Sequence, residues 1–173
     1  MNDNTTPLYA SPVSDALNVR FVENNIAIDR PAAVVYDWVT TWSNLPKWLP
    51  VADRVEVRRG ADNIPAALGD ELFVQIKSGP VPKIYTVVTR LPGKMWTVAA
   101  QNVVGGEREP RISWVAMFTT FDLGNGATLF SRLFQSIRSD DNSTERGAVE
   151  DPAVIQAGLE LLKERIEAET PRP

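Results

Sequence analysis

Residues 151–169, DPAVIQAGLELLKERIEAE, are the stretch that most restricts the architecture open to this chain. Ile155, Leu159, Leu162 and Ile166 recur at helical spacing on one narrow face, with Glu160, Lys163, Glu164 and Glu167 on the other side. The spacing predicts an amphipathic helix. Asp151 is placed to cap the first free amides, and Pro152 falls in the first turn, where a missing N–H costs nothing. Gly158 lies on the flank of the apolar face. A glycine inside a helix costs roughly 1 kcal/mol relative to alanine, so its position implies close backbone approach or open space beside the helix. An apolar stripe of this length must be buried against another layer, and the preceding residues have to supply it.

They supply strands. Residues 18–28 form a β-rich run whose alternation slips at Asn24-Asn25, which predicts a first strand with an irregularity there. Asp29-Arg30-Pro31 then signals a helix start, with Asp29 or Arg30 near the cap position. Val34, Val35, Trp38, Val39 and Trp42 follow at helical spacing, and residues 45–50 read as a short second helix or turn ended by proline. Beyond Pro50 the period changes. Residues 54–59, 68–77, 83–91, 95–104, 111–123 and 127–137 are β-rich runs separated by turn signals such as Pro92-Gly93-Lys94 and Gly124-Asn125-Gly126. Short connections between consecutive strands predict an antiparallel meander. Leu72, Val74 and Ile76 alternate with Glu71, Gln75 and Lys77, so one face is buried and one is wet. The expected organisation is a loose arm over 1–17, a single domain over 18–169 and a short tail over 170–173. Residues 138–150 form a polar connection into the last helix.

Composition excludes much chemistry. The chain of 173 residues has no cysteine and no histidine. Disulfides, thiolate nucleophiles, imidazole general bases and zinc sites of the usual kind are therefore excluded, and no cofactor or metal is expected. A net charge of −4 gives no general attraction to phosphate backbones, so no nucleic-acid partner is expected. No apolar run is long enough for an integral membrane segment, and the first residues lack the basic and apolar regions of a signal peptide. A cytoplasmic protein is expected.

The order strand, two helices, six strands, long helix resembles the SRPBCC superfamily of Bet v 1-like and START-related helix-grip proteins. The similarity is greatest to its polyketide cyclase/dehydrase and lipid-transport branch. The run Ile26-Ala27-Ile28-Asp29-Arg30-Pro31-Ala32-Ala33-Val34-Val35-Tyr36-Asp37-Trp38, followed by Trp48-Leu49-Pro50, resembles the opening of that family. Leu68-Gly69-Asp70, Phe121-Asp122-Leu123, Gly126-Ala127-Thr128 and the final helix match later landmarks. The resemblance implies an α+β helix-grip fold, in which a curved antiparallel sheet of about seven strands wraps around the C-terminal helix, with two short helices after the first strand. It also implies an apolar cavity between sheet and helix, with a hydrophobic small molecule as partner. Binding or carriage of a lipid, quinone or polyketide-like aromatic is the leading expectation. A polyketide aromatase/cyclase or dehydratase is the alternative, and a third reading is a protein-interaction module using the concave surface or the Trp42–Trp48 corner.

The aromatic set Trp42, Trp48, Trp96, Trp114, Phe118 and Phe130 supplies candidates for the cavity wall, although any of these rings also serves as ordinary core. Trp114, Ala116 and Phe118 share a face, and the small residue between two rings leaves a recess. Val74 and Tyr85 on the sheet, and Ile155, Gly158, Leu159 and Leu162 on the helix, complete the candidate site. The last strand has mixed parity: if Phe130 and Phe134 face inward, so does Arg132, which would then need a carboxylate partner or an anionic ligand. The alternative is an exposed or structurally paired Arg132. Asp70-Glu71 and Asp140-Asp141 do not have the geometry of a catalytic pair or a calcium loop.

Overall fold

The element order is β1 (Asn18–Ile28), α1 (Ala32–Thr40), α2 (Leu45–Trp48), β2 (Ala52–Arg59), β3 (Glu71–Ile76), β4 (Lys83–Leu91), β5 (Met95–Val104), β6 (Glu107–Gly124), β7 (Ala127–Arg138) and α3 (Pro152–Glu169). These elements come from a computed structural model that describes residues 18–49, 51–77, 79, 81–138 and 151–171. The arm expected over 1–17 and most of the polar connection, 139–150, lie outside the described residues.

All strands join one antiparallel sheet in the order β1-β7-β6-β5-β4-β3-β2. Strands β2 to β7 form the predicted meander, and β1 closes onto β7 beside the end of the chain. Inner-face residues are buried along each central strand: Leu72, Val74 and Ile76 on β3, Trp96 and Val98 on β5, and Trp114, Ala116, Phe118 and Thr120 on β6. Helix α3 covers this face, burying Ile155, Gly158, Leu159, Leu162 and Ile166. Its N-terminus is capped as the sequence predicts, with Asp151 Oδ1 accepting from the Ala153 amide at 2.9 Å.

Several local expectations change. The pairing of β1 with β7 runs without a register shift, so there is no irregularity at Asn24-Asn25. Asn24 instead occupies an inner-row position and donates to Gln156 Oε1 at 3.3 Å and to the Pro152 carbonyl at 3.4 Å, tethering the start of α3. Neither Asp29 nor Arg30 caps α1, because the cap position belongs to Pro31. Arg30 is buried and turned the other way: Nε donates to Thr170 O at 3.0 Å and Thr170 Oγ1 at 2.9 Å, Nη1 to the Asp29 carbonyl, and Nη2 to the Glu167 carbonyl. One guanidinium thus holds the C-terminal carbonyls of α3 against the β1–α1 junction. Strand β6 begins at Glu107, upstream of the expected start, and runs through Pro110. The register of β5 and β6 shifts between Ala100 and Val103, and Gln101 Nε2 donates to the carbonyls of Glu109 and Pro110 at 2.9 and 3.2 Å. A bulged segment of this kind tolerates proline.

Strand β3 also departs from its expected bounds and starts at Glu71 instead of residue 68. The Asp70 amide bonds the Ala67 carbonyl at 3.1 Å, and Asp70 Oδ2 accepts from the Ala67 amide at 2.7 Å, so these residues form a turn. The tight hairpin between β6 and β7 has Asn125 at φ 54, between Gly124 at φ 79 and Gly126 at φ 77. This is the left-handed backbone that glycine and asparagine accept most readily.

Candidate functional site

Cross-strand register fixes the floor of a recess under α3. One inner row runs from Tyr85 on β4 through Ala100 on β5 and Trp114 on β6 to Ser136 on β7. The next passes from Val87 through Val98 and Ala116 to Phe134, and the third joins Trp96, Phe118 and Arg132. Small side chains occupy the middle of this grid and large rings surround them. A side chain the size of alanine cannot fill the gap between neighbouring tryptophan and phenylalanine rings, so the sheet is dished at Ala116.

Above that dish lies a cavity of about 60 Å3. Its floor includes Tyr85, Trp96, Trp114, Ala116, Phe118 and Arg132. Val39, Trp42, Leu45, Trp48, Leu49 and Val51 form the side wall, and Val154, Ile155 and Gly158 of α3 form the roof. The rings pack at defined angles. Trp96 and Phe118 stack with centroids 4.4 Å apart, and Trp48 meets Phe118 edge-on at 6.4 Å. Tyr85 meets Trp114 edge-on at 4.7 Å. Trp114 lies 5.2 Å from Phe134, whose ring also carries the Arg132 guanidinium at 4.6 Å.

The structure therefore brings Trp48, Tyr85, Trp96, Trp114, Phe118, Arg132, Ile155 and Gly158 to one recess. Four other candidate wall residues do not line it. Val74, Phe130, Leu159 and Leu162 are fully enclosed in the core cluster, where their side chains fill space between sheet and helix. The recess occupies only the N-terminal part of α3, so Leu159 and Leu162 pack past its edge. Val39 belongs to the helical stripe of the sequence, and Leu45 precedes Trp48 by three residues, a spacing that places the two on one side. Leu49, Val51, Val98 and Val154 carry no comparable mark. Both rings of the Trp42–Trp48 corner are interior, with 4% and 6% of those residues exposed.

Among the described residues, two ionisable groups border the recess. Arg132 faces inward with 5% exposed. Burial lowers its pKa to about 10, while Tyr85 opposes the shift, so it remains a cation at neutral pH. Burial pushes the Tyr85 hydroxyl upward, partly offset by the Arg132 charge, and it remains a neutral phenol. The indole N–H groups of Trp42, Trp48 and Trp114 are buried without a hydrogen-bond acceptor among the described residues. No group of three metal-ligating side chains occurs among the described residues, and none of their helices is long and apolar enough to cross a membrane.

No protein-family model matches the sequence, and no curated protein matches it. Solved structures do. Norcoclaurine synthase from Thalictrum flavum, in complex with dopamine and hydroxybenzaldehyde, superposes with a TM-score of 0.63 at 12% identity, covering 91% of each chain. A Nitrosospira multiformis protein gives 0.61 at 15% identity over 87% of this chain and 98% of its own. A Mesorhizobium loti protein gives 0.61 at 17% identity over 88% and 99%. A seven-stranded curved antiparallel sheet closed around a long C-terminal helix, shared over this much of each chain, gives the protein the Bet v 1-like helix-grip fold.

Proposed function

We propose that the protein binds a hydrophobic small molecule, a single-ring aromatic, in the recess between the sheet and α3. The observation that carries this reading is the dish at Ala116, walled by Trp48, Trp96, Trp114 and Phe118 and roofed by Ile155 and Gly158. Its size favours a ring over a whole lipid. Apolar cavities of roughly 150 Å3 take up benzene, and drug-sized ligands occupy about 300–1,000 Å3, whereas this recess measures about 60 Å3. A single ring needs only a modest outward shift of the side wall. A lipid chain or an extended quinone would require α2 and α3 to part. The structurally similar norcoclaurine synthase is in complex with two single-ring aromatics, which supports the same size class.

The second reading is a cyclase or dehydratase of the polyketide type, favoured by the presence of Tyr85 and Arg132 at one recess. An inward cation can polarise a carbonyl and a neutral phenol can donate to it. The size argument weighs against this reading, since a polyketide chain is far larger than the space.

Titration of the full chain with toluene, followed by the fluorescence of its buried tryptophans and by calorimetry, tests the binding reading. Saturable one-to-one binding is expected. Absence of any response up to the solubility limit of toluene would remove it.

A further inference from the structure

We propose that α2 is the gate of the recess and that the ion pair between Lys47 and Glu169 is its latch: a single ring enters as the α2 turn swings outward from Gly158 of α3. This rests on the reading that the recess binds a small aromatic, and it adds the route by which the ring enters and the residues that control it.

A route is required because the recess is smaller than its ligand. It measures about 60 Å3, whereas an apolar cavity that takes up benzene is roughly 150 Å3, so one boundary must move. The floor is ill suited to do so. Its strands β4, β5, β6 and β7 each have a neighbour on both sides in one continuous sheet, and displacing any of them breaks two ladders of hydrogen bonds. The roof is tied along its length. Asn24 reaches the Pro152 carbonyl and Gln156, Lys163 Nζ donates to the Ala27 carbonyl at 2.9 Å, Glu167 Oε1 accepts from the Asp29 amide at 2.8 Å, and Arg30 holds the last turn.

The side wall is held differently. Helix α2 contributes Leu45 and Trp48 to it but has only four residues, with no side-chain hydrogen bond at its N-cap. One turn gains little from helix formation itself. It is slung between two anchors: the Ser43 amide donates to the Asp62 carbonyl at 2.8 Å, and the Lys77 amide to the Val51 carbonyl at 2.9 Å. It meets Gly158 of α3 across a close backbone contact, where a Cβ would lie 3.0 Å from the Trp48 carbonyl oxygen. Among the described residues, the one hydrogen bond from α2 to an element beyond its flanking turns is Lys47 Nζ to Glu169 Oε2, at 2.7 Å. These side chains are 41% and 35% exposed, so the pair can part without stranding a buried charge. Segments with few hydrogen bonds to their surroundings open at the lowest cost. The same Glu169 oxygen accepts from Trp38 Nε1 at 3.2 Å, and Lys47 lies 5.6 Å over the Trp38 ring, so α1 provides the seat to which the latch returns.

Toluene is the probe, and stopped-flow tryptophan fluorescence of the full chain reads its uptake. Lys47→Met keeps an apolar stem over Trp38, and Glu169→Gln keeps an acceptor for the Trp38 N–H, while each removes the ion pair. Both should raise the association rate about two- to fivefold, the factor that corresponds to an exposed ion pair. Affinity should be unchanged or tighter, because a latch stabilises the closed state alone; residues that merely held the fold together would weaken binding when replaced. Lys47→Cys combined with Glu169→Cys supplies the converse. The natural chain has no cysteine, so a short bis-methanethiosulfonate joins these two thiols alone and a reductant frees them. Association should slow about tenfold or more in the linked protein and recover on reduction. Uptake at the wild-type rate in the linked protein, or unchanged rates or weakened affinity in Lys47→Met and Glu169→Gln, would each overturn the gate and leave the binding reading standing. If a single variant fails to fold, the linked pair before and after reduction still decides. Failure of toluene to bind the wild-type protein would overturn both.

Discussion

A Cβ placed on Gly158 would lie 3.0 Å from the carbonyl oxygen of Trp48, so α3 and the end of α2 touch through backbone with no room for a side chain between them. The same glycine borders the recess. The contact fixes where Trp48 sits and hence the distance across the cavity. Replacement of Gly158 acts on both at once. Alanine gains roughly 1 kcal/mol of helix propensity but must push the Trp48 carbonyl outward. Gly158→Ala is therefore expected within about 1 kcal/mol of the wild type, and Gly158→Leu to lose about 1–3 kcal/mol as overpacking. Both should weaken toluene binding. Urea unfolding and fluorescence titration of the two variants provide the check; wild-type stability and wild-type binding in Gly158→Leu would detach this residue from both roles.

The Arg30 clamp on α3 predicts a larger effect. Its guanidinium satisfies the carbonyls of Asp29, Glu167 and Thr170, and the residue is 3% exposed. Arg30→Met leaves those acceptors without their charged donor, and hydrogen bonds to charged groups are worth about 1.5–3 kcal/mol each in net terms. A loss of about 3 kcal/mol or more is expected, with faster amide exchange over the last turn of α3. Arg30→Lys should recover little, since an ammonium cannot reproduce the planar fork that reaches carbonyls from two elements. Full recovery by lysine in denaturant unfolding would reduce the clamp to simple charge.

Arg30 also shows where local sequence reading stops. The strand–Pro–helix signal at Asp29-Arg30-Pro31 locates the junction, but the partners of Arg30 lie at the other end of the chain, so its role could not be inferred from neighbours. Asn24 is similar: a polar residue in an inner row looks like a broken alternation until Gln156 and the Pro152 carbonyl are brought against it. Periodicity was sufficient wherever burial alone set the pattern, as along Leu72, Val74 and Ile76 or Trp114, Ala116 and Phe118. Helix α3 was legible for the same reason. Its stripe did not reveal which residues line open space and which fill core. Ile155 and Leu159 are one turn apart on one face, yet only Ile155 borders the recess, while Leu159 is fully enclosed in the core. The inward turn of Arg132 followed from the shared parity of Phe130 and Phe134, once pairing with β6 set which face those rings take.

Filling the dish separates cavity from fold. Ala116 faces Val98 on β5 and Phe134 on β7, directly beneath the open space. Ala116→Leu adds methylene groups worth roughly 0.8 kcal/mol each on burial, against a repacking cost of about 1–3 kcal/mol. Stability should stay within about 1 kcal/mol of the wild type, as these terms nearly cancel, while toluene affinity falls about tenfold or more. Thermal unfolding with and without toluene measures both quantities. Retention of the toluene-induced rise in Tm would place the ligand elsewhere.

The buried phenol of Tyr85 predicts how stability depends on alkaline pH. Its folded pKa is raised by burial, more than the Arg132 charge lowers it, so the folded state retains a proton that the unfolded chain releases near the ordinary tyrosine value of 10.0. Fewer protons on the unfolded chain means that stability falls as pH rises through this window. Arg132 works in the opposite sense: burial lowers its folded pKa to about 10, well below its ordinary value, so the folded state sheds its proton first and stability rises over that interval. Tyr85→Phe removes the unfavourable half of this opposition. Relative to the wild type, the variant should therefore gain stability progressively above the ordinary tyrosine value, and the difference between the two proteins cancels the titration of groups that do not feel Tyr85. Phenolate absorbance offers an independent readout. Folded wild type and folded Tyr85→Phe should show the same phenolate signal into the alkaline range, and the extra phenolate of the wild type should develop only on unfolding. A Tyr85 phenolate that forms near its ordinary pKa in the folded protein would show that solvent reaches the recess at Tyr85.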